Sequence, residues 1–383
     1  MIRVLIIGWY GTETIGDRAI LAGILRSLDS YLNSDILLTI GSLYPYISER
    51  TIFEDRELYD ILSPKVSSFE IIDSRDHTEL CATILNSDMV LMGGGPLMDL
   101  QELWMVNYAF RFAKHRGIPT AIAGCGVGPI RDRKLQKCLA TIFYNADLNI
   151  LRDKKSSEAA SEIYRSKYTE PKQFIAAIDP AVTCALAYKN VAHIPTKSEV
   201  LVASVRQFPK EYLLPGNSLS AINDNVIRAF WDVLEQNEIP SLHFVPMCYH
   251  HLGVDDRYYM TTLKNKLPNL DCSVQKKPLS LLETMQLFMS SKVALGMRFH
   301  SVVLQALLAD SKIIFDYTGG IGGKISNFVA DVAPNNELLH CVVDLQQNYK
   351  TEYPSISPSN FTPDDHQMRN QTSHYEKLST ILR

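Results

Sequence analysis

Arg3-Val4-Leu5-Ile6-Ile7-Gly8-Trp9-Tyr10-Gly11-Thr12-Glu13-Thr14-Ile15-Gly16-Asp17 decides the fold class. Val4 to Ile7 form a continuous apolar run that stops at glycine, as expected of a strand buried on both faces. After the polar, glycine-punctuated loop, Ile20, Leu21, Ile24, Leu25 and Leu28 recur at the spacing of one helix face. Strand, loop and amphipathic helix make the repeating unit of a parallel α/β sheet.

The same alternation continues outward. Ile36 to Ile40 predicts a second strand, and further apolar runs span Asp88 to Met92, Pro119 to Gly124 and Leu148 to Leu151. Helical spacing appears near 101–116 and 132–146, placing helices on both faces of the sheet. Residues 165–198 carry Pro171, Pro180 and Pro195 among Lys, Thr and Ser, which predicts a connection. From Glu199 the pattern restarts. Val200–Val205, Leu242–Pro246, Lys292–Leu295 and Lys312–Phe315 read as strands, with helices at Ile222–Gln236, Ser280–Ser291 and Ser301–Ala309. The expectation is α/β: two doubly wound, Rossmann-like domains, 1–190 and 195–350, facing a central cleft. A tail, 351–383, follows. Its helix is expected to start at Thr362-Pro363-Asp364-Asp365, with a Thr cap, Pro in the first turn and acids at the positive dipole end. It would run to Leu382, back toward the first domain.

Composition narrows the function. With 383 residues, at about 150 per domain, the chain has room for two domains. Hydrophobic residues at 46% and charged residues at 21% fit a globular protein and exclude disorder. No apolar run approaches the ~18 residues that cross a bilayer, and no secretory signal opens the chain. Lys plus Arg number 38 against 42 acids, so no basic footprint for nucleic acid exists. The seven scattered cysteines contain no C-x-x-C pair, which argues for a reducing compartment and against a disulfide framework or structural zinc. Exposed aromatic and basic residues around Trp104 and Arg111 would suit a membrane-adjacent face, though core packing is the preferred reading. Oligomeric state is not legible.

Ligands of doubly wound domains bind just beyond the strand ends. The first such loop, Gly8 to Asp17, is neither G-x-G-x-x-G nor a P-loop, and Asp17 is read either as a helix cap or as a base. Gly93-Gly94-Gly95-Pro96-Leu97-Met98-Asp99 and Gly124-Cys125-Gly126-Val127-Gly128-Pro129 follow two strands and suggest a floor without side chains, close to a ligand. Arg152 and Arg206 each end a strand. Asp179-Pro180 reads as a turn. Gly296-Met297-Arg298-Phe299-His300-Ser301 is the most specific feature. In an extended segment Arg298 and His300 project to one side, one to grip phosphate or carboxylate, the other to move protons near neutral pH. Tyr317-Thr-Gly-Gly-Ile-Gly-Gly-Lys324 reads as a mobile loop whose lysine closes on an anion. Cys248-Tyr-His-His251 with Asp255-Asp256 matches no common metal spacing. No Ser-His-Asp order or carboxylate pair stands out. Arg152, Arg206, Arg298, Lys324 and His300 thus suit a small, multiply charged anion and acid–base chemistry upon it.

In order along the chain, these motifs resemble the polysaccharide pyruvyl transferase family from about residue 4 to 330. Gly11 to Leu21 is similar to the family's Gly-x-x-Asn-x-Gly-Asp-Glu, with Thr14 in place of Asn and Arg18 in place of Glu. Gly93 to Asp99 is similar to Gly-Gly-Gly-x-Leu-x-Asp, and Gly124 to Pro129 to Gly-x-Gly-Ile-Gly-Pro. Arg152-Asp153, Asp179-Pro180, Arg206, Phe244-Val-Pro-Met247 and Gly296-Met-Arg-Phe-His300 follow in the family's order. The resemblance implies a GT-B-like fold and a cytoplasmic enzyme of exopolysaccharide or cell-envelope glycan synthesis, working at the inner membrane face where its acceptor is lipid-linked. It implies transfer of the pyruvyl unit of phosphoenolpyruvate onto a glycan or lipid-linked sugar as a ketal, with release of phosphate and with no cofactor or metal. His300 and Asp17 would be catalytic. Arg152, Arg298, Lys324 and Arg206 would hold the donor over Gly94, Gly95 and Gly126. The alternatives are a nucleotide-sugar glycosyltransferase and a catalytically silent carbohydrate-binding homologue. A nicotinamide oxidoreductase lacks its glycine fingerprint here.

Overall fold

The computed structural model of the protein describes residues 1–12, 14–128, 130–193, 195–249, 254–318, 323–346 and 358–382. The chain divides into two compact units. The first is built from Met1–Glu13, Asp17–Tyr188 and His366–Arg383, the second from Thr14–Gly16 and Lys189–Asp365.

The first unit contains strands β1 (Ile2–Ile7), β2 (Ile36–Ser42), β3 (Val66–Asp73), β4 (Met89–Gly93), β5 (Pro96–Leu97), β6 (Thr120–Val127), β7 (Leu148–Leu151) and β8 (Ile175–Ala176). They lie in the order β3-β2-β1-β4-β6-β7-β8, with β5 beside β6. Every pairing is parallel. Val4 to Ile7 are fully buried because β1 sits between β2 and β4, with Ile7 level with Gly41 on one side and Met92 on the other. The chain steps outward from β1 to β3, then crosses back to β4. The order therefore reverses between β1 and β4, the place where such sheets bind ligands. Leu5, Val90, Met92 and Ile122 meet Val106 and Phe110 of helix Leu103–His115 and Leu139 and Phe143 of helix Arg133–Asn145 in one core.

The second unit repeats the plan with β9 (Val200–Ser204), β10 (Ser241–Phe244), β11 (Asp271–Val274), β12 (Val293–Gly296), β13 (Lys312–Asp316) and β14 (Val342–Asp344). Their order is β11-β10-β9-β12-β13-β14, again all parallel, and it reverses between β9 and β12. Ser280 and Glu283 close a full capping box at the head of helix Leu281–Ser290.

Three expectations need correction. Residues 165–198 are not merely a connection, since Pro180 to Val191 form a helix with seven buried side chains. Asp179 opens it by accepting the Ala181 amide at 3.0 Å, and Pro180 occupies the first turn, where its missing N–H costs nothing. Thr362 does not cap the last helix, which starts at Asp365, ends at Thr372 and passes into a tighter 3₁₀ turn, Ser373–Ile381. With Met368 as its single apolar anchor that helix is short, and the 3₁₀ turn buries Tyr375 and Leu378 instead. Trp104 is not core, for it is 45% exposed. None of the seven cysteines is joined in a disulfide. Among the described residues no helix is long and apolar enough to cross a membrane, and no cluster of His, Cys, Asp and Glu could hold a metal ion.

Candidate active site

In each unit the sequence-selected residues lie at or beyond the carboxyl ends of strands, some at the reversal of strand order and others, such as Gly126 and Arg152, one or two strands along. In the first unit β1 leads into Gly8-Trp9-Tyr10, and β4 ends at Gly93 with Gly94 and Gly95 beyond it. Gly94 and Gly95 adopt φ of +99° and +68°, conformations open to glycine and strained for other residues. They are nonetheless buried, and what lies against them is protein. A Cβ on Gly94 would come within 3.3 Å of the Tyr10 hydroxyl, and one on Gly95 would overlap the Trp9 indole. Trp9 is fixed by donating Nε1–H to the Pro96 carbonyl at 3.0 Å. The expected bare floor is thus roofed by two aromatic rings, and the glycines make room for them. Gly126 serves Arg152 likewise, since a side chain there would overlap the guanidinium.

Arg152 follows β7 and donates its backbone N–H to Cys125 O at 3.0 Å. Its guanidinium lies 3.3 Å from Asp153 and 3.8 Å from the buried Asp179, so its charge is already answered by two acids. Asp153 also caps helix Lys154–Arg165 by accepting the Ser156 amide. Asp17 is not a helix cap. The helix Ile15–Tyr31 starts two residues earlier, which puts Asp17 in the first turn, 3.1 Å from the Thr12 hydroxyl. The neighbouring Arg18 is buried and turned away. Its Nε and one terminal nitrogen meet Asp55 at 2.5 and 2.6 Å, and the other meets Glu54 at 3.1 Å. Arg18 is therefore a structural ion pair and contributes no free cation.

The second unit holds a tighter group. Arg206 leaves β9, Arg298 leaves β12, Tyr317 leaves β13, and Lys324 begins the helix Lys324–Val332. The Tyr317 ring is buried, with the Lys324 ammonium 5.3 Å and the Arg206 guanidinium 5.8 Å from its centroid. Burial pushes the Tyr317 phenol up, but Lys324, Arg206 and Arg298 outweigh it and hold the group below its ordinary value. Sequence reasoning passed over Tyr317 as the start of a loop. Its place directly after a buried strand, between two cations in the chain, is the signal that marks it. Lys324 is anchored at a helix start, while the glycine loop before it, residues 319–322, lies outside the described residues. So do His250 and His251.

Arg298 and His300 are not in an extended segment. The helix Phe299–Leu308 already begins at Phe299, with Arg298 as its N-cap residue and His300 in the first turn. The Arg298 fork is taken up by Asp256, whose two oxygens it meets at 2.6 Å each. Burial pushes the Asp256 carboxyl up, and Arg298, Arg206 and the Cys248 amide pull it back. His300 stacks edge-on against Phe299 at 5.1 Å. The Thr14–Gly16 segment, which counts with this unit, bridges Cys248 in antiparallel fashion, and the Ile15 amide donates to Met247 O at 2.9 Å. A Cβ on Gly16 would overlap the His300 imidazole, so the histidine lies against bare backbone.

Arg206, Arg298, Lys324, Tyr317 and His300 thus share one sheet edge, and the sequence pattern of polysaccharide pyruvyl transferases matches residues 15–304, the span that holds all but Tyr317 and Lys324. The chain belongs to the polysaccharide pyruvyl transferase family. As a member of that family it is a transferase acting on polysaccharide. No curated protein matches it in sequence. Among solved structures, a UDP-GlcNAc 2-epimerase from Methanocaldococcus jannaschii is 14% identical with a TM-score of 0.52, over 97% of this chain and 98% of the other. MnaA of S. aureus, solved with UDP, is 12% identical with a TM-score of 0.55, over 100% and 98%. An alpha-glucosyltransferase solved with UDP and DNA is 10% identical with a TM-score of 0.50, over 99% and 90%. At such identities the likeness is one of fold. This pyruvyl transferase family member has the two parallel-sheet α/β domains of GT-B glycosyltransferases and UDP-GlcNAc 2-epimerases.

Proposed function

We propose that the protein transfers the pyruvyl unit of phosphoenolpyruvate to a sugar of a glycan precursor, free or lipid-linked, closing a cyclic ketal and releasing phosphate. The observation that carries this reading is the cation group around Tyr317, on the same sheet edge as His300 in a chain of this family. Phosphoenolpyruvate bears a carboxylate and a phosphate, which Lys324 and Arg206 can grip and partly offset without a metal or cofactor. Arg298, its fork engaged by Asp256, supplies field more than grip. In the first step His300 gives a proton to the methylene carbon, and the adjacent carbon accepts a sugar hydroxyl, whose proton passes to the phosphate group and departs with it. Phosphate then leaves with the electron pair of its C–O bond. A second hydroxyl closes the ring and returns a proton to the histidine. Arg152 is the donor-binding candidate of the first unit, and Asp17 the group that orients an acceptor hydroxyl. A metabolite donor of this kind places the reaction in the cytoplasm.

Phosphoenolpyruvate should raise the thermal midpoint of the protein while UDP does not. His300→Ala should lose at least about 10²-fold in phosphate release with acceptor present, within the range of general acid–base catalysis. Stabilisation by UDP alone would favour a nucleotide-sugar transferase instead. Turnover of the His300 variant near that of the parent would remove the histidine from the chemistry.

A further inference from the structure

On the exposed face of the first unit, helices Leu103–His115 and Arg133–Asn145 and the Lys167-Tyr168 turn border a groove of about 470 Å³. Trp104, Asn107 and Arg111 line it from one helix at i, i+3 and i+7, and Lys137, Thr141 and Tyr144 from the other at i, i+4 and i+7. Trp104 and Tyr144 are each 45% exposed, so two aromatic side chains present surface on the two helices that line the groove. Tyr144 is held flat, stacked on Tyr168 at 4.4 Å between centroids and 17° between planes. Lys167 sits over the Tyr168 ring at 5.1 Å and donates to the Thr141 hydroxyl at 2.6 Å. Among the described residues no acid lines the groove. Among the described residues, Arg111, Lys137 and Lys167 have no carboxylate at ion-pair distance. Asn107, only 7% exposed, lines the groove with its Oδ1 buried and unpartnered, an acceptor left unsatisfied by the protein itself.

Flat rings, unpaired cations and a waiting acceptor describe one ligand class. We propose that this groove binds an acidic saccharide. The apolar C–H face of a sugar ring packs on the exposed aromatic surface, its carboxylate or phosphate meets Arg111, Lys137 and Lys167, and a hydroxyl donates to Asn107. The groove is made by the first unit alone, so a protein inert toward phosphoenolpyruvate would still show this binding. It would let an enzyme of glycan synthesis hold an anionic chain by a remote residue.

Calorimetric titration of the full chain with trigalacturonate, and with neutral maltotriose, tests the site. Saturable one-to-one binding of trigalacturonate, at least tenfold tighter than maltotriose, is expected. Both Trp104→Ala and Arg111→Glu lie on exposed positions and should weaken it at least tenfold with the thermal midpoint unchanged. Equal affinity for the two sugars, or insensitivity to both variants, would overturn the proposal. So would capture of phosphatidylglycerol vesicles, abolished by the same variants, in a protein that binds neither trisaccharide, since the face would then be a membrane contact.

Discussion

Arg298 meets both oxygens of the Asp256 carboxylate at 2.6 Å, and the Asp256 side chain is wholly removed from water. Asp256 also accepts the amides of Met247 and Cys248 at 3.2 and 3.1 Å. One carboxylate therefore ties the end of β10 to the end of β12 and sets the angle at which the helix carrying His300 begins.

Breaking that pair from one side strands a buried charge. Asp256→Ala should cost about 3–5 kcal/mol in urea unfolding, because the largely buried guanidinium, its side chain 15% exposed, loses its anion. Joining it with Arg298→Met should recover at least half of the loss. A single variant within about 1 kcal/mol of the parent would show that the pair is not desolvated as its geometry requires.

Gly16 is where helix propensity and catalysis part. Alanine in a helix is ordinarily better than glycine by about 0.5–1 kcal/mol. Here the added methyl overlaps the His300 ring. Gly16→Ala should keep the thermal midpoint within a few degrees while kcat for phosphate release falls at least tenfold. Unaltered kcat would mean that His300 turns aside at no cost to the reaction.

Tyr317 offers a spectroscopic handle. Its folded-state pKa is below the ordinary tyrosine value, so its contribution to stability is present at pH above that value and lost as pH falls through the folded one. Ultraviolet titration should show one phenol ionising ahead of the rest, and Tyr317→Phe should delete that step. With Lys324 and Arg206 held over the ring, the same change should lower kcat/KM for the donor by roughly tenfold. A titration curve untouched by the substitution would place the three cations elsewhere in solution.

Lys312 gives a second pH signature. It is fully buried, donates to the carbonyls of Ala306 and Phe361 at 3.1 and 2.6 Å, and burial drives its pKa down to about 8. Between pH 8 and 10.5 the unfolded chain holds this proton and the folded chain does not, so stability from this site rises with pH. Parent minus Lys312→Met should grow by roughly 3 kcal/mol across that window, at 1.36 kcal/mol per unit. A flat difference would mean that the amine stays charged in the fold.

How far the residues announced all this depends on burial. Strands β1, β4, β6, β9 and β12 are buried runs and are legible as such. β3, Val-Ser-Ser-Phe-Glu-Ile-Ile-Asp at the sheet edge, alternates weakly and carries no such run. Pro180 misleads because proline breaks a helix interior yet starts a helix comfortably, and only the Asp179 cap reveals which applies. The site residues themselves were visible as strand-end side chains. Their partners were not, since Asp256 lies 42 positions before Arg298 and Asp55 lies 37 after Arg18. The triple glycine was legible as a close approach, but only coordinates show that Tyr10 and Trp9 are what approaches.

The C-terminal stretch has a practical corollary. Tyr375 donates its hydroxyl to Ile178 O at 2.6 Å, and Gly124 stays bare because that phenol and Pro180 press on it. The first unit is thus stitched from non-adjacent lengths of polypeptide, ending with His366–Arg383. Expressing residues 1–188 by themselves would uncap a hole beside β6, so the two halves cannot be obtained as clean recombinant fragments by one cut near residue 190.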